Sequence, residues 1–243
     1  MIEPRENTPI GEIVATDFRA AEVFEGFGID FCCGGRRSLL DACQRVSADL
    51  ATVIEALEAL PPADQAADDV SRWPLDRLID YIVQTHHAYI RAAAPVIAQH
   101  LAKMREAHGE RHPELARVAN VFDEIAIELS SHLRKEEQIL FSYIQELCAH
   151  DQQKPCGRLM SPFGTVENPI RMMEREHREA ADGLRIIREL TQDYAQPADG
   201  CSTYAVTLGE LSHFERDLHR HVHLENNVLF PRAIAIENGA GDR

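Results

Sequence analysis

Apolar residues recur at helical spacing through most of this chain, and strand-like alternation is nearly absent. Four long segments carry the pattern, near 75–107, 113–148, 167–195 and 201–236. The breaks between them hold Gly109 and Pro113, then Lys154, Pro155, Cys156 and Gly157, then the stretch from Pro197 to Gly200. Long amphipathic segments with short connections predict an all-α fold, an up-down-up-down four-helix bundle. Shorter helical patterns come first, over 17–26, 38–45 and 47–60, the last behind Ser47 as its cap. From Leu60 to Asp69 the chain is rich in Pro, Ala and Asp and has no period, so it reads as a linker. The expected organisation is a small helical domain over 1–60, a linker over 61–73 and the bundle over 74–238. The N-terminal unit is too small to be more than marginal alone.

Two of the apolar stripes carry the same polar interruption. Ser130 to Phe141 and His219 to Phe230 both hold H-x3-E, followed by an apolar pair ending in Leu-Phe. Residues at i and i+4 share a helix face, so His132 stands beside Glu136 and His221 beside Glu225. Leu129 and Leu140 lie on the same stripe as the first pair, so each pair faces the core. A buried carboxylate needs compensation, and two such pairs suggest a metal site. On the first long segment His86 falls on the stripe of Leu75, Ile79, Ile82, Tyr89 and Ala93, whereas His87 is rotated off it by about 100°. On the third, His177 falls among Ile170, Met173, Ala181 and Leu184. Successive histidines of this set, His86, His132, His177 and His221, are 46, 45 and 44 residues apart. The midpoints are 109, about 154.5 and 199, all inside the breaks, so antiparallel helices would hold the four rings at one level.

The other histidines, His87, His100, His112, His150, His213, His219 and His223, read as surface groups. His108 continues the first stripe but lies 22 residues beyond His86, about 33 Å along a straight helix.

Composition narrows the partners. The chain has 243 residues, is 44% hydrophobic and carries a net charge of -15. That balance argues against nucleic acid or an anionic membrane. No apolar run approaches membrane-spanning length, and the first residues lack a signal-peptide layout, so a cytoplasmic location is expected. The six cysteines do not form a secreted disulfide framework. Cys43, Cys148, Cys156 and Cys201 read as unreactive thiols.

Four imidazoles and two carboxylates exceed a structural zinc site and are too nitrogen-rich for calcium or magnesium. They divide into two metals with two histidines each and with Glu136 and Glu225 bridging. Such sites suit redox iron, with manganese or zinc as competitors. Glu128 before His132 and Asp217 before His221 are placed to accept the free ring N–H. Near the N-terminus, Cys32 and Cys33 are followed by Gly34 and Gly35. Adjacent cysteines do not readily close a relaxed disulfide. Arg36 and Arg37 are expected to favour thiolate there, giving a thiol pair that binds metal, nitric oxide or a partner's cysteine.

Three stretches together, D-F-C-C-G-G, E-L-S-S-H-L-R-K-E-E-Q-I-L-F and H-L-E-N-N-V-L-F-P-R-A, resemble the repair-of-iron-centres proteins over residues 10–235. These are hemerythrin-like di-iron proteins. The resemblance implies two non-haem iron ions on His86, His132, Glu136, His177, His221 and Glu225. It implies a role in nitrosative and oxidative stress, supplying iron to damaged iron–sulfur clusters or apo-proteins. An alternative is a nitric oxide-binding or nitric oxide-reducing protein, with nitric oxide or dioxygen as small ligand. Plain oxygen carriage has no use for an exposed thiol pair. The N-terminal unit would dock on its own bundle or on that of a second copy, which leaves a homodimer open.

Overall fold

The computed structural model describes residues 5–60, 70–153, 159 and 161–239. The fold is all-α; among the described residues the extended backbone amounts to one isolated bridge, Pro9 to Ser38. Four short helices come first: α1 (Ile10–Thr16), α2 (Ala20–Gly26), α3 (Leu39–Arg45) and α4 (Leu50–Glu58). The long helices follow as α5 (Leu75–Tyr81), α6 (Ala88–His108), α7 (Glu114–Lys135), α8 (Phe141–Gln153), α9 (Glu167–Leu190), α10 (Ser202–Leu224) and α11 (Phe230–Glu237). Ser38 caps α3 by accepting from the Asp41 N–H at 3.1 Å. α4 is capped by Asp49, which accepts from the Thr52 N–H at 2.9 Å, and not by Ser47, whose φ is +56°. α1 was not foreseen. Most of the expected linker, 61–69, lies outside the described residues, and its last part holds a 3-10 turn, Val70–Arg72.

The chain divides into two compact units: Met1–Ile79 with Ile144–Met160 and Arg220–Arg243, and Asp80–Tyr143 with Ser161–His219. The second unit is the four-helix bundle. Phe214 of α10 meets Phe122 of α7 edge-on at 5.4 Å and Tyr89 of α6 at 6.3 Å. Gly183 lets α9 approach α7, since a Cβ there would lie 2.8 Å from Ile125 Cδ1. In the first unit the short helices bury Ile10, Phe24, Phe31, Leu39 and Val53. They pack on the chain's last helical stretch, where Asn227 donates to the Phe31 carbonyl at 3.2 Å. Among the described residues no helix is long and apolar enough to cross a membrane.

Candidate metal centre

Three of the long helices are interrupted by π-helical turns, over Ile82–His87, Glu136–Leu140 and Glu225–Leu229. Each interruption contains or adjoins a polar residue of the expected site. A π-turn holds one residue more than the α-spacing allows, and such turns gather at functional positions. In the first of these helices the effect is a change of phase. Before the turn the buried stripe is Leu75, Leu78, Ile79, Ile82 and His86; after it the stripe is His87, Ile90, Ala94, Ile97 and Leu101. Tyr89 and Ala93, expected on the stripe, are half-buried. Both histidines are therefore buried, His87 at 0% exposure, which corrects its reading as a surface group.

The two rings face different partners. His86 Nδ1 lies 2.9 Å from Asp217, and its ring meets Tyr81 edge-on at 5.6 Å. His87 Nε2 lies 3.4 Å from Glu136 Oε2, while its Nδ1 lies 2.7 Å from Glu137. The structure thus brings His87, not His86, to the glutamate.

The other expected groups of the bundle unit converge on the opposite oxygen. His132 Nε2 is 3.1 Å from Glu136 Oε1, His177 Nε2 is 3.7 Å from it, and the two Nε2 atoms are 3.0 Å apart. Ligand atoms of His132, Glu136 and His177 all lie within 4.8 Å of one another. One carboxylate therefore addresses imidazoles on both of its sides. In the other unit, His221 Nε2 is 2.9 Å from Glu225 Oε1, both fully buried.

The outer contacts fix the ring tautomers. His132 Nδ1 lies 2.8 Å from Glu176, so that carboxylate, rather than Glu128, holds it. Asp217 likewise serves His86 instead of His221. A carboxylate only accepts, so Nδ1 of His87 and of His132 carries a proton. In their neutral form both rings turn an Nε2 lone pair towards Glu136. Lone pairs and carboxylate oxygens converging in a dry interior call for a cation. The surroundings of His132 favour a positive charge at this point. Burial disfavours a charged His132, but the pull of Glu136 and the bonds to Glu136 and Glu176 outweigh it, and its pKa rises to about 9. Glu176, bonded to His132 and Lys135, is held down to about 2. The donor set fits an imidazole–carboxylate transition-metal site. A surface pocket whose lining includes Glu128, Lys135, Glu176 and Glu179, with Leu129, Ser131 and Ala180, reaches His132.

The thiol pair sits against the residues that follow the second H-x3-E motif. Asn226 and Asn227, directly after Glu225, both donate to the Cys32 carbonyl, at 3.2 and 3.3 Å. A Cβ on Gly35 would overlap the Asn227 side chain, so glycine is required there for close approach. His223, expected at the surface, is 1% exposed, accepts from Asn227 at 3.0 Å and packs against Phe18 and Phe31. Burial pushes its pKa down to about 3. Cys32 and Cys33 are free thiols, with sulfurs 3.9 Å apart. Cys32 is buried and bonded to Cys33, which, with desolvation and the charge of Asp30, raises its pKa well above the usual thiol range. For Cys32 this runs against the expectation that Arg36 and Arg37 favour thiolate, because the bond to Cys33, burial and Asp30 together favour the thiol. Asp30, Cys32 and Cys33 offer ligand atoms within 4.8 Å of one another, so this corner too could hold a metal. Sequence reasoning missed Glu137, Glu176 and the two asparagines. A signal for the last was present, since adjacent amides within an apolar helical stretch need buried partners.

A family described as the hemerythrin HHE cation binding domain matches residues 78–233, and one described as a domain of unknown function (DUF542) matches residues 6–61. The chain is similar to an iron–sulfur cluster repair protein YtfE of Yersinia pestis (strain Pestoides F), 32% identical over 228 residues that cover 94% of this chain and 97% of the relative. It is equally similar to the protein of that name from Yersinia pseudotuberculosis serotype IB (strain PB1/+), again 32% identical with 94% and 97% covered.

Proposed function

We propose, since this chain belongs to the hemerythrin HHE cation-binding family and to its iron–sulfur cluster repair proteins, that it restores damaged clusters using a non-haem two-iron centre. The proposed ligands are His87, His132, Glu136 and His177, with His221 and Glu225 as the second H-x3-E pair. His87 takes the place first given to His86. The observation that carries this reading is Glu136, fully buried with one oxygen towards His87 and the other towards His132 and His177. That disposition is what a carboxylate shared by two metals requires.

When bound, the iron pair supplies redox chemistry and open positions for a small ligand, nitric oxide or dioxygen. The chain's residues set the conditions. Glu137 and Glu176 hold the Nδ1 protons of His87 and His132 and so keep Nε2 available. Arg91 and Lys135 pair with these two acids from outside. Leu129, Leu133 and Phe141, like Glu136 itself, are buried, and Phe141 stacks on His87 at 5.7 Å. The acidic pocket beside His132 favours passage of a cation, which suits iron as cargo for an apo-protein. The proposed setting is the cytoplasm.

The test is anaerobic titration of the reduced protein with nitric oxide, following iron content and nitrous oxide together in the presence of a cluster-depleted enzyme. Iron leaving this protein as the enzyme regains activity supports donation. Nitrous oxide with iron retained would replace donation by nitric oxide reduction.

A further inference from the structure

At the other end of α6 stands a second pairing of reactive side chains. His108 is 21 residues beyond His87, about 32 Å along the helix, so it shares nothing with the centre around Glu136. Its ring is 6% exposed, and Nε2 lies 3.1 Å from the sulfur of Cys201. Cys201 itself is exposed and directly precedes α10. Arg111 Nη2 approaches His108 Nδ1 at 3.4 Å. A guanidinium only donates, so Nδ1 accepts, the ring proton stands on Nε2, and the sulfur must be the acceptor. The backbone N–H groups of Thr203 and Tyr204, in the first turn of α10, also favour the charged sulfur. Every donor around Cys201 thus favours thiolate over thiol, which overturns its reading as an inert cysteine.

The remaining charged groups are arranged to hold this geometry. Arg111 pairs with Asp199 at 2.8 Å, and His112 lies 3.0 Å from both Asp199 and Glu114. Tyr204 packs edge-on against His108 at 5.4 Å and against His112 at 5.6 Å. The acids are engaged by Arg111 and His112, leaving His108 to the sulfur.

We propose that Cys201 and His108 form a thiol–disulfide exchange site that takes low-molecular-weight disulfides of the glutathione disulfide class. The Cys201 thiolate attacks one sulfur of the disulfide. A new S–S bond to Cys201 forms as the incoming S–S bond breaks, and the departing thiolate takes a proton from solvent. Cys201 is oxidised and the departing thiol reduced, with no third reactant. His108 is a positioning residue that stabilises the attacking thiolate. The bond from His108, helped by the backbone N–H groups of Tyr204 and Thr203, brings the thiol down to about 7.

The experiment exposes the full chain to glutathione disulfide between about pH 6 and 9.5 and maps all six cysteines by peptide mass. Cys201 is expected to be modified first, its rate rising through an apparent pKa of about 7. In His108→Leu the thiol returns towards ~8.5. Its thiolate fraction near neutrality then falls about 16-fold while its nucleophilicity rises about 5-fold, for a Brønsted slope near 0.45. Exchange should be about 3-fold slower near neutrality and about 3-fold faster above pH ~9. Crossing profiles would not arise from a loosened fold. His108→Gln, whose amide N–H can reach the sulfur, should recover part of the wild-type profile. A wild-type rate rising only through pH ~8.5, or modification of Cys33 or Cys148 ahead of Cys201, overturns the proposal, and either is read without any variant.

Discussion

At His86 and His87 two adjacent imidazoles are both buried, yet only the second reaches Glu136. His87→Ala is expected to lower iron from about two per chain to one or fewer, whereas His86→Ala, which removes a contact to Asp217, should keep most of it. Metal analysis of the two purified variants decides, and the reverse order would restore His86 as the ligand. Glu136→Ala should lose more iron than His177→Ala, because its two oxygens face different histidines. Equal losses would reduce Glu136 to a ligand of one metal. The pairs His132–Glu136 and His221–Glu225 were legible from spacing alone, since i and i+4 share a face in any helix. Glu137 and Glu176 were not. They lie off the apolar stripe and become partners only once the helices are set side by side.

Among the elements, periodicity located the long helices well because each buries an apolar stripe on either side of any π-turn. It could not locate the π-turns. A fixed 3.6-residue period carries the phase of Ile82 straight through to Tyr89, whereas the chain slips by one residue and buries Ile90. That slip is why His86 was preferred on sequence grounds. Adjacent histidines in mid-helix were the available hint, since one helix face cannot hold both unless the winding changes. The close approach of α7 and α9 rests on Gly183, where any side chain meets Ile125. Gly183→Val is expected to destabilise the apo-protein by about 1–3 kcal/mol through overpacking and to weaken metal binding by parting His132 from His177. Thermal melting and metal titration of the variant test both effects. An unchanged melt with unchanged affinity would show that α7 can give way.

Across the whole molecule, the compact units do not follow the boundaries of the two matching families. The segment before residue 80 shares a unit with 220–243, although the cation-binding family spans 78–233. The short helices are therefore packed on the chain's own C-terminal helical stretch. A composition shift at 61–69 marked the expected end of the N-terminal piece, but nothing in one-dimensional pattern showed what it rests on. The pair Cys32→Ser, Cys33→Ser is expected to leave iron content unchanged and to abolish repair of a cluster-depleted enzyme. Iron loss from that variant would place the thiols in the metal site itself. Three hydrogen bonds from Asn226 and Asn227 hold the Phe31 and Cys32 carbonyls. At about 0.5–1.5 kcal/mol for each full amide bond, with the two Asn227 contacts sharing one NH2 that also serves His223 and with Phe31 and Cys32 buried besides, the thiol loop is detached only rarely. Reactivity of Cys32 then measures a rare open population and not an intrinsic rate constant. A reagent that traps it would report how often the latch lifts, and Asn227→Ala should raise that frequency about ten-fold.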